Sequence, residues 1–183
     1  MRESSDTRHR IEQVALTLFN EKGYEATSLR EIAEKLGVTK AALYYHFKSK
    51  DEIVAGLAET RLARLRGLLD WARSQPATLE TRREVVRRYA ADLHDLRYSD
   101  VMRFFERNQT ALRDHPVTHK NRDTMIELSK VLHSPGEPLA TRLKRTMALF
   151  SLHAGHVFQM AEAGDPEEYR QAALEVALEL VSD

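Results

Sequence analysis

Residues 28–50 read Ser28-Leu29-Arg30-Glu31-Ile32-Ala33-Glu34-Lys35-Leu36-Gly37-Val38-Thr39-Lys40-Ala41-Ala42-Leu43-Tyr44-Tyr45-His46-Phe47-Lys48-Ser49-Lys50. Two short helices are legible in this stretch. Thr27 or Ser28 caps the first, and Ser28 with Glu31 three residues on has the form of a capping box. Leu29, Ile32, Ala33 and Leu36 give that helix one apolar face, and Gly37 ends it, because glycine enters the left-handed region without a Cβ penalty. Thr39 caps the second helix, which runs through Leu43 to about His46. Ala33 is small where two helices must cross closely, Gly37 supplies the sharp turn, and Leu43 plugs the second helix into a core. That spacing predicts a helix-turn-helix with a three- to four-residue turn.

Charge agrees with the spacing. From residue 35 to 50 there are Lys35, Lys40, Lys48 and Lys50 and no acid, whereas the whole chain balances 28 basic against 28 acidic residues. The positive charge is therefore local, as contact with a phosphate backbone requires.

Working outward, Ile11, Val14, Ala15, Leu18 and Phe19 form one apolar stripe at helical spacing, stopped by Gly23. Downstream, Ser49 caps a long helix with Asp51 and Glu52 in its first turn, where they oppose the positive end of the helix dipole. Its stripe is Ile53, Val54, Leu57, Ala58, Leu62, Leu65, Leu68 and Leu69, and it ends near Ser74 and Pro76. Further helices are predicted at about 78–96, 99–113, 116–133, 138–163 and 166–182. No alternating strand pattern and no fixed-period repeat occurs. The expected fold is all-α: a three-helix helix-turn-helix DNA-binding domain over 1–50, then a larger helical domain over 51–183, to which the resemblance and the apolar stripes described below assign ligand binding and dimerisation.

Several function classes fall away. The 183 residues contain no cysteine, which removes disulfides and thiol catalysis and suits a reducing cytoplasm. The polar start MRESSDTRHR lacks a signal-peptide core, and no apolar run reaches the roughly 18 residues of a membrane span. There is no glycine-rich phosphate loop, no GxSxG elbow and no nucleophile–base pairing, so the chain does not read as an enzyme and no cofactor is expected. His115/His119 and His153/His156 sit one helical turn apart, but neither pair has a cysteine or HExxH context, and no metal site is expected.

The run from Ser28 to Lys50 resembles the signature of the tetracycline-repressor (TetR) family nearly position for position, ending in Leu43-Tyr44-Tyr45-His46-Phe47-Lys48-Ser49-Lys50. The resemblance extends over roughly residues 8 to 60. It implies a homodimeric, all-helical transcriptional repressor whose C-terminal domain binds a small molecule. It also implies that Thr39, Lys40 and Ala41 face the major groove at the start of the recognition helix, and that Tyr44 and Tyr45 contact phosphate or thymine methyls. His46 completes that face, while Phe47 packs the domain onto the long helix. Lys50, and Thr27 and Ser28 at the second helix's start, are assigned to phosphate. Lys40 alone has a base-edge role, donating to guanine O6/N7.

In the C-terminal part, residues 147–161 are apolar on more than one face. The last helix presents two stripes, Tyr169/Ala173/Val176/Leu180 and Ala172/Leu174/Ala177/Leu178/Val181. A terminal helix of a monomer needs one buried face, so the second predicts a homodimer through the two C-terminal helices. Aromatic and methionine side chains there are candidates to line an effector pocket, foremost Met102, Phe105, Tyr89, Met125 and His156, with Phe104, Tyr98, Trp71 and Phe158 beside them and Arg103, Asn108 and Gln109 as polar anchors. The expectation is a ligand-responsive repressor on a palindromic operator; the alternatives are a DNA-binding protein without effector, an activator, or an enzyme with an appended DNA-binding region.

Overall fold

The helical periods of the sequence become nine helices among the described residues: α1 (Arg2–Lys22), α2 (Leu29–Leu36), α3 (Lys40–His46), α4 (Lys50–Ser74), α5 (Leu79–Leu93), α6 (Leu96–Arg107), α7 (Pro116–Lys130), α8 (Leu139–Ala161) and α9 (Pro166–Leu180). The computed structural model describes the backbone of residues 2–93, 96–161 and 165–182, and the side chains of 6–93, 100–154 and 165–182. None of these helices is long and apolar enough to cross a membrane.

The chain divides into two units, residues 1–62 with 96–121 and residues 63–95 with 122–183. The first unit is the head. Ile11, Ala15, Leu18 and Phe19 of α1, Ile32 and Ala33 of α2, Leu43 of α3, Phe47, and Ile53, Val54 and Leu57 of α4 share one core with Val101 and Phe104 of α6 and with Leu112. Phe19 stacks on Phe104 with ring centroids 5.2 Å apart, and Tyr24 meets Phe19 edge-on at 5.4 Å. Helix α6 and the start of α7, placed by sequence with the C-terminal part, thus pack with the head. Two hydrogen bonds reinforce this: the Tyr24 amide donates to Asn108 Oδ1 (3.3 Å) and Asn20 Nδ2 to the Asp100 carbonyl (3.1 Å).

Helix α6 also stops sooner than its apolar spacing suggests, at Arg107 instead of 113. Asn108 turns its side-chain amide back onto the Phe104 carbonyl (2.8 Å), a local bond that competes with helix continuation. The chain then passes through turns to Pro116, whose missing N–H costs nothing at the first position of α7.

The second unit packs α5, α8 and α9 around Val85, Val86, Tyr89, Ala148, Leu149, Leu152, Ala173, Ala177 and Val181, together with Leu65 and Ala72 of α4 and Leu128 and Leu132. Arg145 enters this core and pairs with Glu137. On α8, however, Leu139, Leu143, Met147 and Phe150 are 76, 59, 45 and 58% exposed, an apolar stripe along one side of the helix.

Candidate nucleic-acid interface

The reading head is built from local sequence rules. Ser28 accepts from the Glu31 amide (3.2 Å), and Glu31 reaches back to the Ser28 amide (2.8 Å), so the capping box is complete. Gly37 lies at φ 73°, ψ 30° and closes α2; the Val38 amide returns to the Ala33 carbonyl (3.0 Å). Thr39 then caps α3 by accepting from the Ala42 amide (3.1 Å). Leu43 and Phe47 are fully buried, which fixes α3 by one face and presents the other.

That outer face holds most of the residues the sequence singled out. Thr39, Lys40, Ala41 and Tyr45 are exposed, Tyr44 and His46 half-buried. Tyr45 is 76% exposed and its ring leans edge-on against His46, centroids 5.2 Å apart. The Lys40 ammonium hangs 5.4 Å from the Tyr44 ring centre. Ser28 is exposed one turn from the motif.

Two residues behave differently from the others. Thr27 is 1% exposed, and its hydroxyl donates to the Gly23 carbonyl (2.9 Å); its side chain ties the α1–α2 turn together. Lys50 directs its ammonium at the Tyr24 (2.6 Å) and Glu25 (3.3 Å) carbonyls, above the Tyr24 ring at 4.4 Å. It is a strut between that turn and the start of α4, although an ammonium has a third donor to offer. Asp51 beside it accepts from the Tyr24 hydroxyl; burial, then the hydrogen bond to this carboxylate, raise the Tyr24 pKa.

Arg8 joins this face from outside the motif. Its guanidinium covers the Phe47 ring at 4.1 Å and donates to the His46 carbonyl at 3.1 Å, adding a cation at the C-terminal end of α3. Nothing in the spacing of the motif points to it; the basic run Arg8-His9-Arg10 on α1 was the available signal. Lys48 caps the same end through its ammonium on the Tyr44 carbonyl (2.5 Å). Arg30 is engaged elsewhere, with Glu34 at 2.7 Å.

The predicted pocket residues are divided between the two units. Met102 and Phe105 belong to the head unit and Tyr89 and Met125 to the second, while His156, like Tyr98 and Phe158, lies outside the described side chains. Phe105 packs with Ala55, Ala58, Leu62 and Val117; Tyr89 is fully buried and bonds His153 Nε2 at 2.5 Å. Among the described residues, open grooves of the second unit of about 410 Å³ and 320 Å³ lie beside α9 and one of about 260 Å³ beside Trp71, and their described linings do not include Met102, Phe105, Tyr89 or Met125.

Residues 11–57 match the model of the bacterial regulatory proteins of the tetR family. The transcriptional repressor KstR2 of Mycolicibacterium smegmatis is 39% identical over 64 residues, 35% of this chain and 28% of the repressor; the match thus spans little more than a quarter of that curated relative. Among solved structures, AmtR of Mycobacterium smegmatis superposes with a TM-score of 0.73 at 24% identity, covering 95% of this chain and 85% of that one. A complex of SmeT with triclosan gives 0.71 at 21%, covering 95% and 90%. These proteins share the all-helical fold. Residues 11–57 thus resemble a tetR-family segment, and KstR2, the relative matched there in sequence, is a transcriptional repressor.

Proposed function

We propose that this chain, with its TetR-type head, is a transcriptional repressor that binds a palindromic operator as a homodimer in the cytoplasm and is released by a small-molecule effector. The observation that carries the reading is the exposed face of α3, with Lys40, Ala41 and Tyr45 turned outward while Leu43 and Phe47 anchor the other side. A helix so held enters the major groove with its N-terminal residues at the base edges, Lys40 facing guanine and Tyr45 the backbone or a thymine methyl. Thr39, Ser28, His46 and Tyr44 stand on the flanks of that face, and Arg8 and Lys48 add charge beside it. Lys50 reaches phosphate only with the donor its carbonyl contacts leave over.

Dimerisation is supported by the α8 stripe Leu139, Leu143, Met147 and Phe150 and by the exposed Val176 of α9. A run of large apolar side chains that size marks an interface, and a two-fold axis through it pairs each patch with itself. Two heads related by such an axis meet half-sites about 34–36 Å apart, one helical turn of DNA. KstR2 is a repressor and SmeT has been caught with triclosan, which favours repression and effector release over activation. An effector acts by favouring a state in which the heads miss the half-sites.

Light scattering tests the assembly. The wild type has the mass of a dimer at micromolar concentration, and Leu143→Glu with Phe150→Glu yields a folded monomer that loses the palindrome enriched by the wild type from random DNA. A wild-type monomer, or a dimer that survives both substitutions, contradicts the reading.

A further inference from the structure

Three residue choices in the head are each poor locally, and they meet at one point. Gly56 lies inside α4, where a glycine weakens a helix relative to alanine. Arg8 and Glu12 pair along α1 in the less favourable order, the cation N-terminal to the acid, with Nε and Oε1 3.6 Å apart. Glu12 is also half-buried, and burial raises its pKa despite the attraction of Arg8 and His9. His9 Nδ1 stands 3.9 Å from the other carboxylate oxygen, Oε2.

The contact between α1 and α4 accounts for the glycine. A Cβ at Gly56 would collide with Glu12 Oε1 and stand 3.1 Å from Cδ, so the missing side chain is the seat of the carboxylate. From that seat Glu12 meets the Nε edge of the Arg8 guanidinium. The Phe47 ring lies against the same group at 4.1 Å, and the His46 carbonyl accepts from Nη1 at 3.1 Å. Three contacts thus hold the guanidinium at the C-terminal end of α3. Its side chain stays 48% exposed, and Nη2 makes no hydrogen bond among the described residues. Arginine presents five donors in a rigid fork that suits phosphate, and one whose rotamer is already set loses less freedom on binding than a free one. Local rules broken together at one point mark a functional site.

We infer that Glu12 is a positioning residue for DNA binding: seated against Gly56, it holds Arg8 ready for a backbone phosphate beside the end of α3. This rests on the proposed reading of DNA by α3 and adds to it a phosphate contact from α1. An acid near DNA ordinarily repels phosphate, so its removal tightens binding. Removal of Glu12 loosens it, because the arginine it holds is set free.

Fluorescence anisotropy of the full-length protein, over a range of salt and on the duplex it selects from random DNA, tests this. Arg8→Ala weakens binding at least about fivefold and makes the salt slope shallower by about one. Glu12→Gln, similar in shape and without the charge, weakens binding at least about threefold when Arg8 is present and has no such effect beside Arg8→Ala. Gly56→Ala displaces the carboxylate and weakens binding likewise. Neither Glu12→Gln nor Gly56→Ala melts below the wild type, since one relieves a half-buried charge and the other removes a helix glycine. A merely structural Glu12 gives the opposite pattern, a lower Tm with unchanged affinity. Affinity equal to or above that of the wild type in Arg8→Ala, Glu12→Gln or Gly56→Ala overturns the inference, as does an equal loss from Glu12→Gln with and without Arg8. Lys40→Ala/Tyr45→Ala, measured beside them, separates the two readings: it loses affinity if α3 reads DNA, whatever Glu12 does. A wild type that enriches no duplex overturns both.

Discussion

Gly37 shows how a single position serves the site. Its φ of 73° lies in the left-handed region, and a Cβ there would meet no atom within 4 Å, so the cost of a side chain is backbone strain alone. Gly37→Ala is expected to destabilise the protein by about 1–2 kcal/mol, seen as a lower denaturation midpoint with unchanged slope. Thr27 is the counterexample at the same scale. A threonine ahead of a helix reads as a cap with a free hydroxyl, yet here Ser28 takes the cap and Thr27 turns inward, its hydroxyl on the Gly23 carbonyl. The identity of the cap between two adjacent candidates depends on the entry angle of the chain, which local spacing does not contain. Lys50 teaches a similar lesson. Charge on a sequence marks a cation but not its partner, and Lys50 found two carbonyls 25 and 26 residues away.

Among elements, α2 and α3 are legible, save for the choice of Thr27 or Ser28 as the α2 cap, because caps, glycine and apolar spacing act within one or two turns. Ser28, Gly37 and Thr39 each do what their type dictates. The end of α6 was not legible: its apolar period continues to Leu112, but Asn108 diverts the backbone, and Leu112 is buried from a turn. The partnership of α6 with α1 was likewise hidden, since it joins Phe19 to Phe104 across 85 residues of sequence. The same limit applies to the pocket candidates: an aromatic at helical spacing tells that it is buried, not beside what.

The capping box gives α2 a pH dependence. Hydrogen bonds from Lys22, then from the Ser28 backbone and hydroxyl, hold the Glu31 carboxyl at about 2 against its ordinary 4.5. A carboxylate depressed on folding contributes stability that is whole above its unfolded value and is lost as pH falls towards the folded one. Chemical denaturation of Glu31→Gln should therefore show a shallower loss of stability than the wild type between about pH 4.5 and 2, and parallel curves would contradict this role for the carboxylate.

For the whole molecule, charge and shape divide the labour. The chain is neutral, with four lysines and no acid between residues 35 and 50, and Arg8 is brought beside them by α1. A single head with so few cations binds DNA weakly at physiological salt, because affinity rises with the number of phosphates neutralised; two heads on one duplex gain from effective concentration. Under the proposed function, the exposed α8 stripe and the α3 face serve one act of binding. The claim at its centre is that α3 reads the DNA. It is tested most directly by the affinity, by fluorescence anisotropy at physiological salt, of Lys40→Ala/Tyr45→Ala for the duplex selected by the wild type. With fold and dimer mass unchanged, the account predicts a loss of about tenfold or more and a shallower dependence on salt; an affinity equal to that of the wild type would contradict it.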